Sequence, residues 1–218
     1  MKWIKASLVL LTFALLNGCA TAPKQDYSAF IQSDPKSILV LPPINNSNEV
    51  VAPFGVMATV VKPLADSGYY VFPVSLVNET FKNNGLTVAH DVHSVAIDKL
   101  YEIFAADAAL YIEIQDYGTS YVVLDSDTTV ALSARLVDLK TGQVIWRGKS
   151  KASSSEERSN NDNSLAGALI GAVLNQVIES TSDKGFEVSQ QASQRLLSAD
   201  SSNGLLYGVR SPKYGHPK

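Results

Sequence analysis

A 218-residue chain with one cysteine cannot close an internal disulfide, and it has no second thiol for a cysteine-based metal site. Its stability must come from packing. Basic residues form no cluster: 18 Lys and Arg stand against 21 Asp and Glu, a formal charge of −3, which argues against nucleic acid as a partner. No apolar run is long enough to cross a bilayer as a helix, since those at 6–16 and 165–174 fall short of the roughly 20 residues needed. A nucleophile elbow, a phosphate-cradling glycine loop and a dinucleotide fingerprint are also missing. No enzyme, cofactor or catalytic residue is therefore expected. There is no internal repeat. The hydrophobic share of 45% is ordinary for a packed domain and is enough for a sizeable core.

The amino terminus orders a basic start (Met1-Lys2-Trp3-Ile4-Lys5), an apolar run from Ala6 to Leu16, and then Asn17-Gly18-Cys19. That is the layout of a secretory signal peptide. Leu16-Asn17-Gly18-Cys19 resembles the lipobox of bacterial lipoproteins, which implies cleavage before Cys19 and acylation of its thiol and new amine. Several buried acyl chains make a stable membrane anchor, so membrane lipid is the first expected partner. Cleavage leaves 200 residues and, with Lys2 and Lys5 gone, moves the charge from −3 to −5. The expected layout is a signal peptide at 1–18, an acylated tether at 19–34, one α/β domain at 35–200 and a carboxy-terminal tail at 201–218.

Ser37-Ile38-Leu39-Val40-Leu41, closed by Pro42-Pro43, reads as a strand buried on both faces. Helical spacing runs from Val50 to Leu64, a second strand covers 69–72, and helices are expected at 74–81 and 95–105, with a polar turn at His90-Asp91. Strands are expected at 110–114 and around Tyr117–Leu124. From 129 to 137 the chain alternates, with Val130, Leu132, Ala134 and Leu136 on one face. Residues 144–149 answer it, with Val144 and Trp146 on one face and Arg147 and Lys149 opposite. Lys140-Thr141-Gly142 is the hairpin turn, Gly142 supplying positive φ. A polar loop from 153 to 163 precedes helices at 165–178 and 185–197. The fold class is α/β: a single domain whose mixed central sheet carries a long antiparallel hairpin flanked by helices.

Few side chains suggest chemistry. His90 and His93 are spaced for one helix face, but no third ligand accompanies them, and exposed polar residues at a helix start explain them equally well. No metal site is assigned. Asp107, Asp125, Asp127 and Asp138 sit at strand ends, where acids usually form turns. The helix at 165–178 is apolar nearly all round, with a smooth ridge at Gly167 and Gly171. It is either buried on the sheet or docked on another subunit, and Gly167, Leu169, Gly171 and Leu174 are its candidate contacts. The tail is aromatic and basic, and Tyr207, Arg210 and Tyr214 are candidate partner contacts there.

Asp138-Leu139-Lys140-Thr141-Gly142-Gln143-Val144-Ile145-Trp146 resembles the hairpin of periplasmic domains related to the curli secretion channel lipoprotein and to the TolB amino-terminal domain. The lipobox, Ile38-Leu39-Val40-Leu41-Pro42-Pro43, residues 117–121, Ser133–Asp138, and Leu205–Gly208 with Ser211–Gly215 are together similar to lipoproteins of the genome-derived neisserial antigen type. That resemblance covers nearly all the mature chain. It implies a TolB-like α/β domain held at the outer membrane, facing the periplasm, with a part in envelope assembly or export and no catalytic residues. The implied partner is another envelope lipoprotein or a secretion-channel-like protein, and a second copy of the chain is an alternative. Ala20 fits outer-membrane sorting as known for enterobacterial lipoproteins. No pair of strands has the apolar side needed to enter a barrel, so the protein is not expected to form the pore itself.

Overall fold

After its first residue, Ser37-Ile38-Leu39-Val40-Leu41 carries only apolar side chains, so both faces of the strand it forms must be covered. In the computed structural model, which describes residues 25–122, 125–156 and 181–215, this is β1 (Ser37–Val40), and Ile38 to Leu41 are all fully buried. Ile38 and Val40 enter one core, Leu39 and Leu41 a second on the other side of the sheet.

The sheet order is β3 (Tyr70–Val71), β1, β4 (Ala108–Val122), β5 (Asp125–Asp138), β6 (Val144–Ser153). The short β2 (Ile44–Asn45) pairs with β4 beyond the end of β1. Pairings of β1 with β3 and β4 are parallel, and those of β4 with β5 and β5 with β6 are antiparallel. The crossover from β1 to β3 and the one from β3 back past β1 to β4 run in opposite directions, so a constant hand places their helices on opposite faces. One face therefore carries α2 (Ala52–Asp66), the other α3 (Val74–Asn83), α4 (Ala89–His93) and α5 (Ile97–Phe104). The closing helix α6 (Thr181–Leu197) lies beside α2, over β5 and β6. Val56, Val60 and Leu64 of α2 meet Val188, Ala192 and Leu196 of α6 in the larger core, above Leu110, Ile112, Leu132, Leu136 and Trp146. This is an α/β domain with a mixed sheet flanked by helices.

The contact between α2 and α6 is partly polar. Thr59 Oγ1 lies 3.0 Å from the Val56 carbonyl, 3.0 Å from Ser189 Oγ and 2.9 Å from Ser193 Oγ. A threonine hydroxyl has one hydrogen and two lone pairs. With that hydrogen directed to Val56, both serines must donate to Thr59, and all three groups are satisfied.

Several boundaries differ from the sequence reading. The segment expected as tether contains α1 (Ser28–Ser33), whose Phe30 is 3% exposed and meets Tyr69 edge-on at 6.5 Å. One buried ring holds a helix too short to show a period. The two strands expected at 110–114 and 117–124 are one strand, β4, with a register shift between Ile114 and Asp116 that sends Ile114 and Tyr117 into the same core. A second shift pairs Leu136 with Trp146 but Val137 with Val144, leaving Ile145 as the extra residue. Val144 therefore packs against the second core while Ile145 and Trp146 enter the first, which corrects the expectation that Val144 and Trp146 share a face. His90 and Asp91 lie in α4, not in a turn. The Lys140–Gly142 turn is as expected, with Gly142 at φ +76. The helix expected at 165–178, with Gly167, Leu169, Gly171 and Leu174, lies outside the described residues, as does Cys19.

The carboxy-terminal segment packs on its own domain. Leu205 is fully buried, the Gly208 N–H donates to the Ser67 carbonyl at 2.8 Å, and the Arg210 N–H donates to Gly68 at 3.3 Å. A Cβ on Gly208 would sit 2.7 Å from the Gly68 oxygen, so glycine is required for this approach.

Candidate functional site

Helices α3 to α5 cover β3, β1 and the adjoining ends of β4 and β5, where Ala109, Tyr111 and Val137 are buried. Beyond them the sheet is bare, and β4, β5 and β6 present polar residues outward: Glu113, Ser133, Arg135, Arg147, Lys149 and Lys151. Alternation dictates this. Leu132, Leu136, Trp146 and Ala152 are buried under α6, so their odd-numbered neighbours must face the other way. An open groove of about 850 Å³ runs along this surface, and Gln25, at the start of the described chain, also lines it.

The groove is cationic. Arg135 and Arg147 are directly opposite in the β5–β6 register, where like charges repel. The Arg135 guanidinium lies 4.2 Å from the centre of the Tyr111 ring, a cation–π contact that holds it in place. Lys149 and Lys151 continue the row on β6. Among the described residues, none of these four cations has a carboxylate in ion-pair range, whereas Lys62, Lys82, Lys99, Lys140 and Lys213 each have one. The carboxylate of Glu113 in the groove accepts from Gln115 Nε2 at 3.1 Å.

The outer edge of β6 is partly sealed. Arg195 Nη1 donates to the Lys151 carbonyl at 2.8 Å, and the Ser153 N–H donates to Glu156 Oε1 at 3.1 Å. A two-bonded Arg195–Glu156 pair joins these caps at 3.1 and 2.7 Å. Backbone groups of Lys151 and Ser153 thus point away from β5, and by the same alternation so do those of Arg147 and Lys149.

The other titratable groups hold the fold together. Burial would raise the Asp138 carboxyl, but bonds from Ser33, Thr141 and Lys140 outweigh it and hold it below its ordinary value. Asp107 is likewise pulled down against burial by Ser37, Lys36 and Lys140, and Asp127 by Ser153, Ser155 and Ser154. All three tie strand ends or turns. Burial lowers His93, partly opposed by its 2.9 Å contact with the Pro42 carbonyl, and its ring meets Tyr111 edge-on at 5.1 Å. His90 is exposed, and among the described residues no group of three or more His, Cys, Asp or Glu could hold a metal ion.

Of the tail candidates, Tyr207 donates to Asp200, which also receives Lys213 Nζ at 2.9 Å. Arg210 reaches the Lys36 carbonyl at 3.3 Å and lies 5.7 Å over the Tyr70 ring. Tyr214 donates to Asp34 at 2.8 Å and is 45% exposed. Arg210 and Tyr214 clamp the tail to the segment before β1 and still present surface, while Tyr207 braces the tail against Asp200. The sequence separated Arg147 and Lys149 from Trp146 correctly. It did not show Arg135 brought opposite Arg147, nor Gln25 brought beside them.

With its residues placed, the fold defines an α/β domain in which an ordered amino-terminal segment and tail close over one end of the sheet. The chain belongs to the family described as "Putative lipoprotein GNA1162-like", whose model matches residues 25–210. It is 50% identical over 206 residues to "Putative lipoprotein NMB1124/NMB1162" of Neisseria meningitidis serogroup B, covering 93% of this chain and 94% of that one. The crystal structure of lipoprotein GNA1162 from Neisseria meningitidis is 49% identical, with a TM-score of 0.53 over 66% of this chain and 98% of that chain. A dodecameric PelC from Paraburkholderia phytofirmans is 10% identical, with a TM-score of 0.44 over 79% of this chain and 91% of that one.

Proposed function

We propose that this protein is a lipid-anchored, non-enzymatic accessory subunit in envelope assembly or export. Acylated Cys19 fixes it to the outer membrane with the domain in the periplasm, where it docks on another envelope lipoprotein or a channel-like protein. The observation that carries this reading is the acylation signal standing directly before a folded domain of a lipoprotein family. Membership of that family supports an accessory lipoprotein, and the shifted carboxyls, each spent on a turn or strand end, support a role without catalysis. Confinement to a surface raises effective concentration, so modest affinity suffices. Contacts are assigned to the 165–178 segment (Gly167, Leu169, Gly171, Leu174) and to the exposed side of the tail (Tyr207, Arg210, Tyr214).

A cell-wall synthase regulator must reach across the periplasm. Only residues 19–24 separate Cys19 from the described residues, which start at Gln25, and so short a link disfavours a long reach. The test is detergent extraction at native expression with photo-crosslinkers at positions 169 and 214. A heteromeric complex crosslinked through either position supports docking, and a monomer without crosslinks at both overturns it.

A further inference from the structure

The groove on β4–β6 is absorbed neither by the fold nor by the docking surfaces above. The four cations on this face, three of them lining the groove, lack ion-pair partners among the described residues, and two of them oppose each other across neighbouring strands. Such an arrangement is relieved by an external anion. What stands nearest follows from chain length. Gln25 lines the groove, and six peptide units separate it from Cys19. Fully extended, six units reach at most about 20 Å, and a flexible chain of that length averages about 13 Å. A domain of this size is roughly 40 Å across. The acylated residue therefore stays within about 20 Å of the groove rim at Gln25, which brings that rim down to the lipid.

We infer that the bare sheet face, through Arg135, Arg147, Lys149 and Lys151, rests on anionic phospholipid headgroups and sets the orientation of the domain on the bilayer. This rests on acylation at Cys19. It adds a second membrane signal beside the acyl chains, as polybasic patches do for other lipid-anchored proteins. An acidic protein segment shares the charge chemistry, but the short link to the anchor favours the headgroup plane. A second copy paired edge to edge through β6 would set cations against cations.

The mature chain carrying Cys19→Ser, which has no acyl chain, isolates the electrostatic part. Its partition to vesicles of phosphatidylcholine with 30% phosphatidylglycerol should exceed that to pure phosphatidylcholine. Each cation near such a surface contributes about fivefold, so Arg147→Gln with Lys149→Gln should weaken partition roughly 25-fold. Lys62→Gln with Lys184→Gln, an equal charge change on α2 and α6 of the opposite face, should leave it unchanged. Retained thermal melting would show that each variant folds. On the acylated chain, a polarity-sensitive label at position 149 should report the headgroup region while one at position 62 reports water. Equal partition to both vesicles, an equal effect of the two double variants, or water at both labels overturns the inference and leaves the anchor intact. Binding to soluble polyglutamate without preference for anionic vesicles overturns it in favour of an acidic protein. Absence of acyl chains on the native protein sinks the underlying reading instead.

Discussion

Replacing Thr59 by valine tests the packing of α2 against α6 with almost no change of shape. Valine removes the one oxygen that accepts from both Ser189 and Ser193, whose side chains are fully buried. A buried hydroxyl left without a partner costs about 1–3 kcal/mol, so two set an upper bound near 6 kcal/mol. Each serine lies inside α6 and can turn its hydroxyl to the carbonyl one helical turn back, which recovers part of the loss. The expected destabilisation is about 2–3 kcal/mol. For a domain of this size that lowers the melting temperature by roughly 4–12 °C. Urea unfolding of the Cys19→Ser mature chain measures it directly. Adding Ser189→Ala and Ser193→Ala to Thr59→Val should restore most of the stability, because removing both partners of a hydrogen bond is nearly neutral. A loss under about 0.5 kcal/mol for Thr59→Val, or a triple variant weaker than the single one, would refute the shared-acceptor argument.

Phe30→Ala should release α1, cost up to about 3–5 kcal/mol if the body yields with it, and open a chymotrypsin cut after Tyr27; resistance equal to the parent would mean that Phe30 does not hold the segment. Gly148→Ala places a Cβ against the Trp146 ring and 2.9 Å from Leu196 Cδ1, so overpacking should destabilise by about 1–3 kcal/mol in urea. Asp107, Asp127 and Asp138 have folded pKa values below their unfolded ones. Their stabilisation is complete above the unfolded value near about 3.9 and lost as pH falls through the folded values. Melting temperature should thus drop steeply below about pH 4, and an acid limb equally steep in Asp138→Asn would remove Asp138 from the account. His93 is also lowered, so stability should decline as pH falls below about 6.5 toward its folded value, a decline that His93→Gln should flatten.

Where one periodicity ran unbroken, the fold was legible. β1 had no polar face, β5 alternated cleanly, and Gly142 marked its turn, so the sheet and its hairpin followed from local pattern. Legibility failed where a long-range contact overrode local signal. α1 rests on Phe30 meeting Tyr69, β2 is two residues borrowed by β4, and the bulge at Ile145 flips one residue against the alternation. The tail read as irregular because its order comes from Ser67, Gly68 and Asp34, all distant in sequence. The cationic face was half visible, since Arg147 and Lys149 alternate on one strand. Its pairing with Arg135 needed the register, and the approach of Gln25 to it needed the path of the chain.

The most direct measurement is the mass of the first tryptic peptide of the native protein. Cleavage and acylation predict a peptide from Cys19 to Lys24 bearing acyl groups on its sulfur and its amine, with the protein in the membrane fraction. The same peptide with a free thiol, or a chain still beginning at Met1, would contradict the account.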